Sequence, residues 1–151
     1  MALPPPKGFE GIVPYICVAP AVDAIAFYEK AFGAIEDFRI AMGDGIGHAE
    51  LTIYGAKLML SDPHHDYGAY SAKEIGGTPV TLHLYVDDAD AALAKAVAAG
   101  ATLERPAEDM FYGDRSGMIV CPFGHRWSFA THVEDVAPDE LQRRVKEMFG
   151  Q

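Results

Sequence analysis

Cysteine, tryptophan and positive charge are all scarce in this chain. Its 151 residues hold two Cys, one Trp and 12 Lys and Arg against 22 Asp and Glu. Two cysteines, Cys17 and Cys121, are too few for a disulfide framework, so both are read as small core residues of a protein from a reducing compartment. A formal net charge of -10 leaves no basic stripe to neutralise phosphates, which argues against nucleic acid or an anionic membrane as partner. A small molecule is the better partner class. No apolar run nears the roughly 20 residues of a spanning helix, and MALPPPKG at the start lacks the basic and apolar stretches of a signal peptide. The expected location is cytoplasmic.

What the chain does have is the same phrase written twice. An apolar strand ending at Val18 leads to Asp23, an amphipathic helix and a Gly33-Ala34 stop; another ending at Val86 leads to Asp90, a helix and Gly100-Ala101. Asp23 stands ten residues before Gly33, and Asp90 ten before Gly100. Two equal βα units within one small domain predict a pseudo-symmetric pair of modules, and ligands favour the seams of such pairs. With 50% hydrophobic residues and no Pro/Ser-rich linker, residues 1–151 are expected to form a single domain.

The first module, residues 9–62, reads as strand 12–19, a helix with apolar residues from Ala24 to Phe32 at helical spacing, then β-rich segments 35–42, 47–54 and 57–61 split by glycine turns. Its order is βαβββ. Residues 62–78, with Pro63, Gly68, Gly76 and Gly77, read as a linking loop. The second module, 79–132, repeats the order with strand 79–86, helix 89–99 and strands 102–108, 117–121 and 125–132. Proline opens a C-terminal helix over 138–149, whose Leu141, Val145, Met148 and Phe149 share one face. The predicted class is α+β, built from paired βαβββ modules.

Alternation along the strands separates their two faces. Ala49, Leu51 and Ile53 form the helix-facing set, which leaves His48, Glu50, Thr52 and Tyr54 opposite. In the second module Leu82 and Leu84 face inward and Thr81, His83 and Tyr85 outward; Trp127 and Phe129 are assigned to the core, Arg126 and Ser128 to the other side. Such His, Glu, Tyr and Thr sets suit a cavity wall. His48 and Glu50, two apart on one face, have the spacing of a general acid/base pair in which carboxylate orients imidazole, or of a hydrogen-bonded lining. Tyr112 and Arg115 beside a glycine turn are substrate-binding candidates, since a guanidinium fork suits an anion; an internal salt bridge to Asp114 is the alternative. His64, His65 and Asp66 form a metal-like triplet that is read as solvated loop.

The repeat, its βαβββ order, and the phrases Tyr112-Gly-Asp-Arg-Ser-Gly117 and Cys121-Pro-Phe-Gly-His-Arg-Trp-Ser-Phe-Ala-Thr-His132 resemble the vicinal oxygen chelate superfamily. That superfamily includes glyoxalase I, bleomycin-resistance proteins and extradiol dioxygenases, and the resemblance is to its PhnB-like branch. It implies modules that curl into a cup, a homodimer, and in metal-using members a divalent ion that polarises a chelated substrate. This chain departs from the metal-using pattern. Ser128 stands where the glutamate ligand belongs, Thr81 where a histidine belongs, and Val13 and Met59 occupy the matching places in the first module. No metal is therefore expected at the usual positions; a displaced divalent site of His48, Glu50 and His83 stays open, and with it a metal-dependent lyase or dioxygenase. The resemblance otherwise implies a protein that binds a small organic molecule in the cup, lined by His48, Glu50, His83, Tyr85, Arg126 and Ser128. It either abstracts a proton or isomerises that molecule, or sequesters it without chemistry.

Overall fold

The computed structural model describes residues 1–150. Its first module runs β1 (Tyr15–Cys17), α1 (Ala21–Phe32), β2 (Ile35–Met42), β3 (Gly45–Ile53) and β4 (Ala56–Ser61). The second runs β5 (Thr81–Tyr85), α3 (Ala89–Ala98), β6 (Thr102–Asp109), β7 (Asp114–Val120) and β8 (Arg126–His132), and α4 (Pro138–Phe149) closes the chain. Each module forms its own four-stranded mixed sheet, in the orders β1-β4-β3-β2 and β5-β8-β7-β6. The first strand of each pairs in parallel with the last, and the remaining pairs are antiparallel. This is the α+β class that the sequence predicts.

The linking loop is more ordered than its composition suggests. Between the modules lie a 3-10 turn at His65–Tyr67 and the short helix α2 (Ala72–Ile75). A capping box starts α2: Ser71 Oγ accepts from the Glu74 N–H while the Glu74 carboxylate accepts from the Ser71 N–H. The Ser-x-x-Glu pattern that encodes it is present in the sequence. Strand one is shorter than the expected 12–19, because Pro14 has no N–H to donate and contributes only its carbonyl, which accepts from Met59.

Both helices lie on the apolar faces of the sheets. From α1, Ala24, Ile25, Tyr28, Ala31 and Phe32 are buried, and Phe32 meets Trp127 and Phe129 of β8 edge to face, with centroids 4.9 and 5.2 Å away. The hydrophobic cluster is thus continuous across both modules. Gly33, at φ 64°, ends α1 in the left-handed conformation that only glycine adopts cheaply. In the C-terminal helix Arg144 donates to the Phe111 carbonyl and forks onto Glu134, while Met148 and Phe149 stay exposed.

Candidate functional site

The open faces of the two sheets, away from α1 and α3, carry the polar side chains. On the first, Ala49, Leu51 and Ile53 point into the core while His48 and Glu50 point out, as alternation requires. His48 Nε2 lies 3.1 Å from Glu50 Oε1, and His48 Nδ1 lies 2.8 Å from the Tyr15 hydroxyl. A carboxylate only accepts, so Nε2 carries the ring hydrogen and Nδ1 accepts from the phenol. Glu50, His48 and Tyr15 are therefore one chain, and its outermost member is Tyr15, which is 53% exposed. Tyr15 was not among the sequence candidates, although alternation from Val13 along the expected strand 12–19 places it on this face.

The second open face is denser. His83 Nδ1 and Ser128 Oγ are 2.9 Å apart, and the buried Ser128 hydroxyl has no carboxylate to offer a metal. Tyr85 donates to Asp114 Oδ2 at 2.8 Å, and His132 Nδ1 meets Asp114 Oδ1 at 2.8 Å while its Nε2 meets Asp135 at 2.7 Å. Burial pushes the Asp114 carboxyl up, but hydrogen bonds from His132 and Tyr85 together outweigh it and hold Asp114 below its ordinary value. The same bonds, from Asp135 first and Asp114 second, favour the charged imidazolium and raise His132. Tyr112 stands with its hydroxyl 3.5 Å from Ser116 Oγ. Asp114 and Ser116 were not among the sequence candidates, since the start of β7 at Asp114 sets their phase and the sequence suggested a later start; His132, at the end of β8, was not among them either, although alternation from Ser128 places it on this face.

Two arginine candidates are already engaged. Arg115 points to the helix side of β7, where it forks onto Asp90 of α3 at 2.6 and 3.0 Å and reaches Asp109. Arg115 thus takes the salt-bridge alternative, but with Asp90 and Asp109 and not with Asp114: with Asp114 and Ser116 on the open face, Arg115 turns to the helix side. Arg126 keeps its face but spends its fork on Glu104, with both bonds at 2.8 Å.

A cleft of about 400 Å³ opens between the segment leading into β1, strand β4 and strand β5, lined among others by Val13, Lys57, Thr81, His83 and Trp127. His83 belongs to the cleft and to the second open face alike; His48 and Glu50 lie apart from it. Among the described residues, no three of His, Cys, Asp and Glu gather closely enough to hold a metal ion. At the positions where the resemblance puts ligands, Val13 is hydrocarbon, Met59 a soft thioether, and Thr81 and Ser128 neutral hydroxyls. That donor set does not fit a hard divalent cation. Cys17 lacks the lowered thiol of a reactive cysteine: burial first, then Glu74 and Asp62, push it up to about 11.

These two modules, each a βαβββ unit with a polar open face, define a known class. The chain belongs to the Glyoxalase/Bleomycin resistance protein/Dioxygenase superfamily, whose family model matches residues 13–129. An uncharacterized protein of Mycobacterium tuberculosis is 44% identical over 133 residues, which cover 85% of this chain and 78% of that one. Among solved structures, a gene product from Arabidopsis thaliana superposes with a TM-score of 0.66 at 33% identity, covering 81% of this chain and 98% of its own. TioX from Micromonospora sp. ML1 gives 0.67 at 26% identity, covering 82% and 99%. No helix among the described residues is long and apolar enough to cross a membrane.

Proposed function

We propose that this is a cytosolic, homodimeric, PhnB-like member of the superfamily that binds a small organic molecule against the open sheet faces and moves a proton on it without the usual family metal. The observation that carries the reading is the chain from Glu50 through His48 to Tyr15. Glu50 fixes the tautomer, His48 Nδ1 can take the phenolic proton, and the exposed Tyr15 oxygen exchanges a proton with a bound carbon acid. Tyr15 is then the group that touches substrate, and His48 and Glu50 act through it. Support for the dimer comes from β2, an edge strand on which Phe38, Ile40 and Met42 are about half exposed.

A non-catalytic, sequestering protein is the second reading, favoured by the fact that most polar groups on these faces already bond to one another. Deuterium wash-in from heavy water into phenylpyruvate, a carbon acid, separates the two. The first reading expects exchange that falls by about 100-fold or more in Tyr15→Phe and His48→Ala while binding persists, the usual scale of a lost acid/base group. Binding with no exchange in the parent protein supports sequestration. Stoichiometric divalent metal in purified protein, lost in His48→Ala or Glu50→Ala, would overturn the metal-free reading.

A further inference from the structure

On the second open face one cation has no counter-ion. The chain has six arginines, and five of them pair with carboxylates: Arg39 with Glu36, Arg115 with Asp90, Arg126 with Glu104, Arg143 and Arg144 with Glu140. Among the described residues Arg105 pairs with none, although acidic groups outnumber basic ones almost two to one. Nor is it a stray surface side chain. It is half buried, its Nη1 donates to the Ser116 carbonyl at 2.9 Å and its Nη2 to Ser116 Oγ at 3.0 Å, and Ser116 is 1% exposed. Gly117 lets this happen: a Cβ there would stand 2.7 Å from the Arg105 carbonyl oxygen and 2.8 Å from the Ala107 nitrogen, so only glycine lets β6 lie this close.

Those bonds occupy one end of the guanidinium and leave its side edge. Nε–H and the outer Nη2–H project from that edge in parallel, the geometry that receives two oxygens of one carboxylate or phosphoryl group. Nε has no protein partner and is not among the buried polar atoms left without one, so it is open to solvent. Asp114, the one buried acid among the described residues, is already answered by His132 and Tyr85 and does not pair with the arginine. Register then orders the surroundings. Arg105 pairs with Met118, Met118 with Ser128, and Ser128 with His83, so one row crosses the sheet from cation through thioether to imidazole. Three strand spacings make that row about 14 Å between the backbone positions at its ends.

We propose that Arg105, held by Ser116 with its Nε edge free, receives the oxyanion of a small organic acid whose apolar body lies over Met118 and whose far end meets His83 and Ser128. This rests on the reading of the open face as a small-molecule site and gives that molecule a chemical class. The test uses the full chain with nitrogen-15 label, following the Arg105 Nε–H resonance, which is identified by its loss in Arg105→Lys. Benzoate, phenylphosphonate and neutral benzamide are the probes. The acids are expected to shift that resonance to saturation and benzamide to leave it in place. Arg105→Gln should weaken acid binding by about 10-fold or more, since a charge-assisted fork is lost. Should Arg105→Gln fail to fold, Arg105→Lys, which keeps the charge without the fork, is expected to lose several-fold. Response to only one acid narrows the subsite to a planar or a tetrahedral oxyanion. If the acids move the Met118 and Ser128 amides while arginine variants bind them equally well, the anion subsite falls and the small-molecule face stands. If no resonance on the face moves with any probe, both fall.

Discussion

The helix of the first module carries Phe27, Tyr28 and Phe32 where that of the second carries Ala94, Lys95 and Ala99, counted from Asp23 and Asp90. The rings of α1 reach beyond their own sheet to Trp127 and Phe129, whereas the alanines of α3 let it lie close on β7, with Leu93 against Gly117. The open faces differ in the same spirit. Register makes Tyr15 the counterpart of His83, Met59 of Ser128, and His48 of Ser116. A tyrosine, a histidine and a carboxylate in one half thus answer a histidine, two serines and an arginine in the other. Duplication fixed the backbone, and divergence gave one half a hydrogen-bonded Tyr15-His48-Glu50 chain and the other an arginine with no carboxylate partner among the described residues.

The largest expected effect tests the shared core. Phe32 is 3% exposed and touches four aromatic rings from both modules. Phe32→Ala should cost about 3–5 kcal/mol, since it removes the ring and leaves a cavity that its neighbours only partly fill. Denaturant unfolding by tryptophan fluorescence and by circular dichroism checks it. Coincident transitions, both shifted, are expected of a core that joins the halves; separate transitions would show the modules to be energetically independent.

Next comes how each helix begins. Pro20 gives α1 no cap of its own, so Asp62, beyond the end of β4, accepts from the Ala21 N–H at 2.9 Å and the Ile46 N–H at 2.7 Å. In the second module Asp88 caps α3 locally through Ala91 N–H, and Thr131 separately accepts from Ala89 N–H. Asp62→Ala strands two donors and should cost about 2–3 kcal/mol, against about 1 kcal/mol for Asp88→Ala, whose helix retains Thr131. Equal losses in the two variants would remove this asymmetry.

The repeat, the face of His48 and Glu50, the outward set Thr81, His83 and Tyr85, and the C-terminal helix at 138–149 were all legible, because alternation and helical spacing are local properties. What was not legible depended on phase or reach. Arg115 turns inward because β7 begins just after the Gly113 turn, where the φ of 100° and the tight approach of Glu134 fix the chain; the sequence does not disclose that starting point. That Arg105 pairs with Ser116 and with no carboxylate is a property of the fold which Glu104 and Glu108 beside it in sequence do not disclose, and bulges on both sides of it in β6 hide its face from simple alternation. Tyr15 was legible by alternation along strand one, but its bond to His48, 33 residues away, was not.

The smallest effect concerns pH and sets two histidines of the second module against each other. Asp135 and Asp114 raise His132 above its ordinary 6.5, so its contribution to stability is fully present below that value and is lost as pH rises through the folded-state value. His125 runs the other way: burial lowers it, although its bond to the Cys17 carbonyl opposes, so its contribution is present above 6.5 and lost as pH falls through the folded-state value. Denaturant midpoints measured from pH 5 to 9 should therefore fall less steeply above about 6.5 in His132→Gln than in the parent, and less steeply below it in His125→Gln. Because His132 is open to solvent, added salt should shrink its share while leaving that of the half-buried His125 nearly intact. An alkaline slope in His132→Gln equal to that of the parent would mean that the Asp114 network draws its stability from Tyr85 alone.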